Sequence, residues 1–308
     1  MAGALIFSEN YDLVLELASA ARHMGASPIY TLVINNPAQA QEIAKRGLDV
    51  LSIDNPDLFT ADIANTASAL VQAAEKLDLN TVLLSSDRRG KELAGRVAQA
   101  RDAGCLTDVK SIAVENDQTV VARNSLGGAT VATQVIKSPL QVLAISPRAF
   151  AAAADQGGGN MQSLDISILA PTVRVLATHR KGDGSIDLQA AERLVVVGQG
   201  VENQEDLVYV DQVARALKAE TACSKPVASD KKWFEEDRII GLSGKICKPA
   251  LALVLGVSGQ VQFTVGVRDA QLIVSINKDE NAFMNKLADY VLIADLHECL
   301  PELARILG

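Results

Sequence analysis

The stretch LVVVGQGVENQEDLVYVDQVARAL, residues 194–217, contains a complete strand–turn–helix unit. Its four consecutive apolar residues, Leu194–Val197, are typical of a strand that is buried on both faces of a parallel sheet. The turn Gly198-Gln199-Gly200 follows, and apolar residues then recur at helical spacing over Asp206–Leu217. This order predicts an α/β unit in which a helix crosses back over the sheet.

The remainder of the second half repeats the pattern of short apolar runs between loops and helices. We predict further strands at Ala219–Cys223, Ile239–Gly241, Leu251–Gly256, Leu272–Ile276 and Tyr290–Ala294. Loops rich in Gly, Ser and Asn follow these strands. Because ligands of open parallel sheets bind beyond the carboxyl ends of the strands, these loops are the candidate site.

The first half alternates in the same way and then changes character. We predict four strand–helix pairs: Ala4–Ser8 with Tyr11–His23, Pro28–Ile34 with Ala38–Lys45, Val50–Ile53 with Thr60–Lys76, and Thr81–Leu84 with Lys91–Ala103. Strand-like runs without helices come next, at Lys110–Glu115, Thr119–Arg123, Ala129–Lys137 and Gln141–Ile145. Such a run predicts an antiparallel addition to the sheet, and Val173–Thr178 is one more strand candidate.

The length and two low-complexity segments predict two domains. A chain of 308 residues exceeds the usual size of one domain. The glycine-rich segment 151–160 is predicted to be a surface loop, and the polar segment 180–192 is the candidate linker. We therefore expect an N-terminal α/β domain over residues 1–185, with a parallel sheet and antiparallel additions, and a doubly wound C-terminal domain over residues 186–308.

Composition excludes several classes of function. The net charge is −8 and aromatic residues make up only 4%, so neither a basic surface nor a stacking platform for nucleic acid is expected. The longest apolar run, Ala250–Val257, is far shorter than the ~20 residues of a membrane span. The N-terminus lacks the basic region of a signal peptide, so a cytoplasmic protein is expected. The four cysteines form no CxxC pair, which predicts reduced thiols and no metal site.

Four post-strand loops in the second half carry the candidate binding residues. The first, Gly198-Gln199-Gly200, lacks the third glycine of a dinucleotide fingerprint, so a tight turn remains an equal alternative. The others are Ile240–Lys245, Gly256–Phe263, and the pair of segments Ser275–Asp279 and Ala294–Leu296. Each alone is typical of a solvated loop, but four of them in one half-chain favour a bound dinucleotide over coincidence.

Other polar residues give weaker signals. The three histidines have no spacing that suggests metal ligands or a catalytic cluster, so we interpret them as ordinary surface or core residues. The basic sequence Arg88-Arg89-Gly90-Lys91 opens a predicted helix. An anion site, a solvated helix start and a partner contact are all compatible with it.

The second half resembles the flavin-binding domain of the electron transfer flavoprotein α subunit. The resemblance rests on the motifs CSKP, IGLSGKICKP, GVSGQVQF, SINKDENA, LADY and ADL, which occur in the family's order and spacing. In the first half, SSDRRGKELAGRVAQARDAGCLTDV and NSLGGATVAT resemble the family's more variable N-terminal domain. The resemblance therefore extends over nearly the whole chain.

This resemblance implies an electron carrier, not a substrate-converting enzyme, and therefore no catalytic residues. Such α subunits form a heterodimer with a β subunit, which commonly holds AMP or a second nucleotide. One FAD lies mainly in the C-terminal domain of the α subunit. It accepts electrons from acyl-CoA dehydrogenases or related flavoprotein donors and passes them to a quinone reductase, a ferredoxin or a nitrogenase-linked acceptor.

Carried over motif by motif, the resemblance also implies which residues contact FAD. Gln199, Ser224 and Lys225 would lie near the flavin, and Ile240, Gly241, Leu242 and Ser243 would form the loop at its reactive edge. Ser258, Gly259, Gln260, Val261, Gln262 and Phe263 would surround the ring and the pyrophosphate. Asn277, Asp295 and Leu296 would serve the adenosine half.

Four of these positions depart from the family pattern. The family usually has Arg at 199 and 225, Gln at 242 and His at 263. Three of these four changes, at positions 199, 242 and 263, remove a polar or charged group that would stabilise a reduced flavin. Phe263, for example, donates no hydrogen bond. The departures predict either a flavin of lower potential or a family member that has lost FAD and acts as a binding or structural subunit. A nucleotide pyrophosphatase on the N-terminal domain is disfavoured, because the first strand ends in FSENYD without the required glycines.

Overall fold

The computed structural model describes residues 3–116, 118–126, 130–171, 173–177 and 187–308. These residues form two compact units, one within residues 1–178 and the other within residues 179–308. The predicted domain boundary between residues 185 and 186 lies outside the described residues, as does the predicted linker up to residue 186. The last part of that linker packs on the second unit, because Leu188 is fully buried in its core.

The first unit contains the elements that the alternating pattern predicts, with small shifts at their ends. Its strands are β1 (Ala4–Phe7), β2 (Ile29–Ile34), β3 (Asp49–Ile53), β4 (Thr81–Ser85), β5 (Gly104–Glu115), β6 (Gln118–Ser125), β7 (Thr130–Val135), β8 (Gln141–Ile145) and β9 (Met161–Ser163). Its helices are α1 (Tyr11–His23), α2 (Pro37–Lys45), α3 (Ile63–Lys76) and α4 (Arg88–Ala100).

The described strands of this unit form one mixed sheet in the order β7-β6-β5-β8-β4-β1-β2-β3-β9. Helices α1 and α2 cover one face and α3 and α4 cover the other, so two apolar layers enclose the parallel part. β5, β6 and β7 form the predicted antiparallel addition. β8 was wrongly assigned to it, because β8 lies between β4 and β5 and is parallel to both. Its unbroken apolar run, Val142–Ile145, suits a strand that is buried on both faces.

Two further predictions for the first unit need correction. The described part of Val173–Thr178, residues 173–177, forms no strand, and Leu176 is 86% exposed. An apolar segment becomes a strand only when a neighbouring strand accepts and donates its backbone hydrogen bonds. The glycine-rich segment 151–160 is a loop, as predicted, but it leads directly into β9, which pairs with β3 and which the sequence analysis missed.

The second unit consists of strands and helices that alternate along the chain. Its strands are β10 (Arg193–Val197), β11 (Glu220–Cys223), β12 (Leu251–Leu255), β13 (Ile273–Asn277) and β14 (Tyr290–Ile293). Its helices are α5 (Leu207–Leu217), α6 (Lys225–Ser229), α7 (Val261–Thr264), α8 (Phe283–Leu287) and α9 (Leu296–Leu307), with single 3₁₀ turns at Gln204–Asp206 and Glu236–Arg238.

These strands form a parallel sheet in the order β11-β10-β12-β13-β14. Alternate residues of β10 and β12 point to opposite faces, where α5, α6 and α9 pack on one side and α7 and α8 on the other. The predicted α/β architecture with a doubly wound C-terminal unit is thus confirmed. The predicted strand Ile239–Gly241 is reduced to two isolated bridges, one between Ile239 and Cys223 and one between Ile240 and Lys245.

Candidate cofactor site

The strand order of the second unit reverses at β10, and the loops after β10 and β12 meet at this point. The Gly198 N–H donates to Leu255 O at 2.8 Å, and the Gly200 N–H donates to Gly256 O at 2.9 Å. A Cβ atom on Gly198 would lie 2.3 Å from Gly256 O, so a side chain would force the loops apart. The predicted Gly-Gln-Gly turn therefore has a second role, which is to let two backbones touch at the switch point of the sheet.

The loop after β12 is held by the loops that follow β13. The Asn277 Nδ2 donates to Val257 O at 2.9 Å, while its Oδ1 accepts from the Asp279 N–H at 3.1 Å. The Met284 N–H donates to Ser258 O at 3.2 Å. Gly259 has φ +83°, and a Cβ there would lie 2.1 Å from Met284 N. Only glycine fits this position, because it is both left-handed and in contact with the neighbouring backbone.

The loop Gly241–Gly244 is fastened to α7 in a similar way. The Leu242 N–H donates to Gln262 O at 2.8 Å, and the Ile240 N–H donates to Cys223 O at 2.9 Å. Gly241 has φ +126°, and a Cβ there would lie 2.4 Å from Gln262 O. Three of the four predicted loops, together with the start of the fourth at Asn277, are therefore joined by hydrogen bonds into one surface at the carboxyl edge of the sheet.

This surface offers main-chain donors. Among the described residues, no acceptor is found for the backbone N–H groups of the five consecutive residues 258–262. The side chains of Ser258, Gln260 and Gln262 are exposed beside them. Successive free N–H groups are a common means of binding anionic oxygens such as those of a pyrophosphate.

The sixteen predicted contact residues divide into exposed and buried groups. The exposed residues are Gln199, Lys225, Leu242, Ser243, Ser258, Gln260, Val261, Gln262 and Asp295. The buried residues are Ser224, Ile240, Gly241, Gly259, Phe263, Asn277 and Leu296. Of the buried side chains, Ser224 is the only one with a hydroxyl, and this hydroxyl makes no hydrogen bond within the described part of the chain.

Phe263 is buried, unlike the residues that precede it in α7. Its side chain is 7% exposed and packs in the core with Ile240, Val257 and Met284. Little of its ring is left for contact with a ligand. Among the predicted contact residues, the exposed apolar side chains are instead Leu242 and Val261, at 60% and 58%.

Charged residues flank the loop after β10 on two sides. Lys278, which follows β13, forms an ion pair with Glu202, and this contact raises the pKa of the lysine. The Nδ1 atom of His297 lies 2.9 Å from Oδ1 of Asp206, whose carboxylate is buried. The hydrogen bond to this carboxylate raises the pKa of His297. The sequence predicts an ordinary surface or core histidine at position 297, because no spacing signals a partner 91 positions away.

A second residue that the sequence analysis missed is Lys231. Its Nζ donates to Val201 O at 2.6 Å and to Gln199 O at 3.3 Å, and it lies 4.1 Å from the centroid of the Trp233 ring. Burial lowers its pKa, with Glu202 acting in the opposite direction. The chain's single tryptophan next to a pair of lysines was the only available signal in the sequence.

The basic sequence that opens α4 lies at the corresponding edge of the first unit. It borders a cavity of about 400 Å³ between the ends of β1 and β4. Arg89 forms an ion pair with Glu9, and Lys91 forms one with Asp108 at 2.6 Å. Two of the three basic side chains are therefore neutralised within the unit.

The described residues contain neither a group of metal ligands nor a membrane-spanning helix. No three His, Cys, Asp or Glu side chains are grouped there as metal ligands. None of the described helices has the length and apolar character that crossing a membrane requires.

The comparisons with known proteins agree with this arrangement. One family model, described as the electron transfer flavoprotein domain, matches residues 8–168, and another, described as the electron transfer flavoprotein FAD-binding domain, matches residues 187–268. The chain is 33% identical to the electron transfer flavoprotein subunit YdiR of Escherichia coli K12, over 97% of this chain and 96% of that protein. It is 33% identical to the protein FixB of Escherichia coli O7:K1 and 32% identical to that of Shigella dysenteriae serotype 1, in both cases over 98% of this chain and 97% of that protein.

The fold defines an α/β protein of two units, and in the second unit the loops after β10 and β12 meet at the switch point of the sheet, the position at which open parallel sheets bind their ligands. The family matches extend over most of both units. The chain belongs to the α-subunit family of electron transfer flavoproteins.

Proposed function

We propose that this chain binds FAD and carries electrons as one subunit of a heterodimer with an electron transfer flavoprotein β subunit. The observation that carries the proposal is the coincidence of the matched FAD-binding domain, residues 187–268, with the switch-point loops and their free N–H groups. When bound, the isoalloxazine ring of FAD would supply reversible electron uptake. The protein would supply binding, orientation and electrostatics, without converting a substrate of its own.

The residues present fit such a cofactor. The free N–H groups of residues 258–262 suit the pyrophosphate, and the exposed Leu242 and Val261 suit the flat apolar ring. Lys225 is exposed at the start of α6 and offers a positive charge near the same edge. Asp295 caps α9 by accepting from the His297 N–H at 2.8 Å, which leaves its second oxygen for a ribose or adenine contact. Gln199, Ser224, Ser243, Gln260 and Gln262 complete the polar set.

The donor and acceptor are proposed by class. We expect electrons to arrive from an acyl-CoA dehydrogenase-type enzyme or another flavoprotein, and to leave to a quinone reductase or a ferredoxin-type protein. The β subunit would complete the carrier and would hold AMP or a second flavin.

The test is the visible absorption spectrum of the chain purified together with its β subunit. We expect a yellow complex that contains one FAD per α chain and is bleached by reductant. Lys225→Ala should lower the FAD content, whereas Lys45→Ala, which removes the same charge from α2 of the first unit, should not. A complex that is colourless even after incubation with FAD would refute the proposal.

The second candidate is a family member without FAD that serves as a binding or structural subunit. The departures at Gln199, Lys225, Leu242 and Phe263 favour it, and the burial of Phe263 adds to them, because this side chain offers almost no surface to a ring. In the same experiment, this candidate predicts a stable, colourless heterodimer.

A further inference from the structure

Lys231 connects two segments at the switch point of the second unit. It lies between α6 and the 3₁₀ turn at Glu236–Arg238, yet its Nζ reaches the loop after β10. There it donates to Val201 O at 2.6 Å and to Gln199 O at 3.3 Å, and the Trp233 ring lies beneath it. The ammonium group thus has a carbonyl partner for two of its three protons and an aromatic face for its charge.

These two hydrogen bonds fix the direction of the loop. In a trans peptide the C=O and the following N–H point in opposite directions, so the N–H groups of Gly200 and Glu202 point away from Lys231. The Gly200 N–H meets Gly256 O at 2.9 Å, which sets the distance between the loops after β10 and β12. The N–H of Glu202 has no acceptor among the described residues.

The opposite side of the loop is also held. Glu202 forms its ion pair with Lys278, which follows β13. The loop is therefore contacted by two lysines from different segments, Lys231 through its backbone and Lys278 through the side chain of Glu202. A lysine needed only for solubility would keep its ammonium in water, since partial burial of this charge is unfavourable unless it is paired.

We propose that Lys231 is a positioning residue, whose ammonium group holds the loop after β10 in the conformation that the cofactor requires. This rests on the proposed function, because the loop belongs to the surface assigned to FAD. Lys231 acts through the carbonyl groups of Gln199 and Val201 and does not itself contact the cofactor.

The test compares Lys231→Met, Lys231→Arg and Lys232→Met in the full chain bound to its β subunit. Methionine keeps the apolar length without the charge, arginine restores the cationic donors, and Lys232 makes no hydrogen bond or ion pair within the described residues. FAD is added to the deflavinated complex, and its dissociation constant is measured from the quenching of flavin fluorescence. We expect Lys231→Met to weaken FAD binding about tenfold, and the other two variants to stay within about threefold of wild type.

A second measurement does not depend on FAD. Hydrogen exchange of the backbone amides in residues 198–203 of the FAD-free protein should be faster in Lys231→Met and near wild type in Lys231→Arg. Unchanged exchange or unchanged FAD affinity in Lys231→Met would overturn the proposal, as would equal losses in both Lys231 variants. If the wild-type complex binds no FAD, the proposed function fails. Faster hydrogen exchange in Lys231→Met would still show that Lys231 stabilises the loop after β10.

Discussion

Replacement of Gly259 by alanine tests whether the loop after β12 is fixed by backbone contact. Gly259 has φ +83°, and an added Cβ would lie 2.1 Å from Met284 N and 2.6 Å from Met284 Cα. Both atoms belong to backbone, which has no flexible end that could move aside. For an ordinary contact of 3.4 Å, the two segments would have to separate by about 1.3 Å.

Two contributions to the free energy of unfolding can be separated. A left-handed alanine costs about 1–2 kcal/mol, and the stiffer unfolded chain returns about 0.4–1 kcal/mol of this. Forcing atoms into a packed site adds about 1–3 kcal/mol. Gly259→Ala should therefore destabilise the second unit by about 1.5–4 kcal/mol.

Gly157→Ala is the matched control. Gly157 has φ +70°, but nothing lies within 4 Å of its added Cβ, so only the backbone strain remains. We expect a loss of about 0.5–1 kcal/mol in the first unit. Native-state hydrogen exchange of β12 and β13 for Gly259→Ala, and of β1 to β3 for Gly157→Ala, measures each unit separately. Equal losses in the two variants would refute the collision with Met284.

Three shorter predictions address other side chains of the second unit. Because the pKa of His297 is raised, its contact with Asp206 should stabilise the fold fully below about pH 6.5, and this stabilisation should be lost as the pH rises past the raised pKa. NMR titration should place the pKa of His297 above the ordinary value, and Asp206→Asn should bring it back to that value. An unchanged pKa in the variant would exclude the contact. Burial raises the pKa of Cys223 to about 12, so the folded chain should resist alkylation at pH 8 and react only when unfolded, which mass spectrometry can follow. Phe263→Ala should cost the second unit about 3–5 kcal/mol, measured by urea unfolding with Trp233 fluorescence, and a loss below about 1 kcal/mol would contradict its place in the core.

Much of the fold follows from local patterns. Continuous apolar runs such as Leu194–Val197 mark strands of a parallel sheet, and helical spacing over Tyr11–His23 gives α1 with the observed ends. The predictions that failed concern which strands pair with each other. β8 follows two antiparallel strands in sequence but inserts beside β4, and β9 is only three residues long. The local sequence does not show which strands β8 and β9 pair with, because strand order depends on contacts between segments that are distant in the chain.

The candidate site was predictable to a similar degree. The loops after the strands could be located, since glycines and hydroxyls cluster there and parallel strands end at one edge. The contacts of Lys231 and His297 could not, because they depend on how far a side chain reaches between loops that are distant in sequence. The burial of Phe263 was missed for the same reason, since helix α7 is too short to show which face it turns to the core.

The type of donor at this site bears on the choice between the two candidate functions. The departures at Gln199, Lys225, Leu242 and Phe263 change side chains, but the free N–H groups of residues 258–262 belong to the backbone and persist whatever side chains these residues carry. Their directions depend on glycines 241 and 259 and on Asn277, all of which are present. Binding through such donors tolerates side-chain replacement better than does the tuning of a flavin potential, which depends on charged or polar side chains beside the ring. We therefore expect the departures to alter the potential of a bound FAD more than its retention.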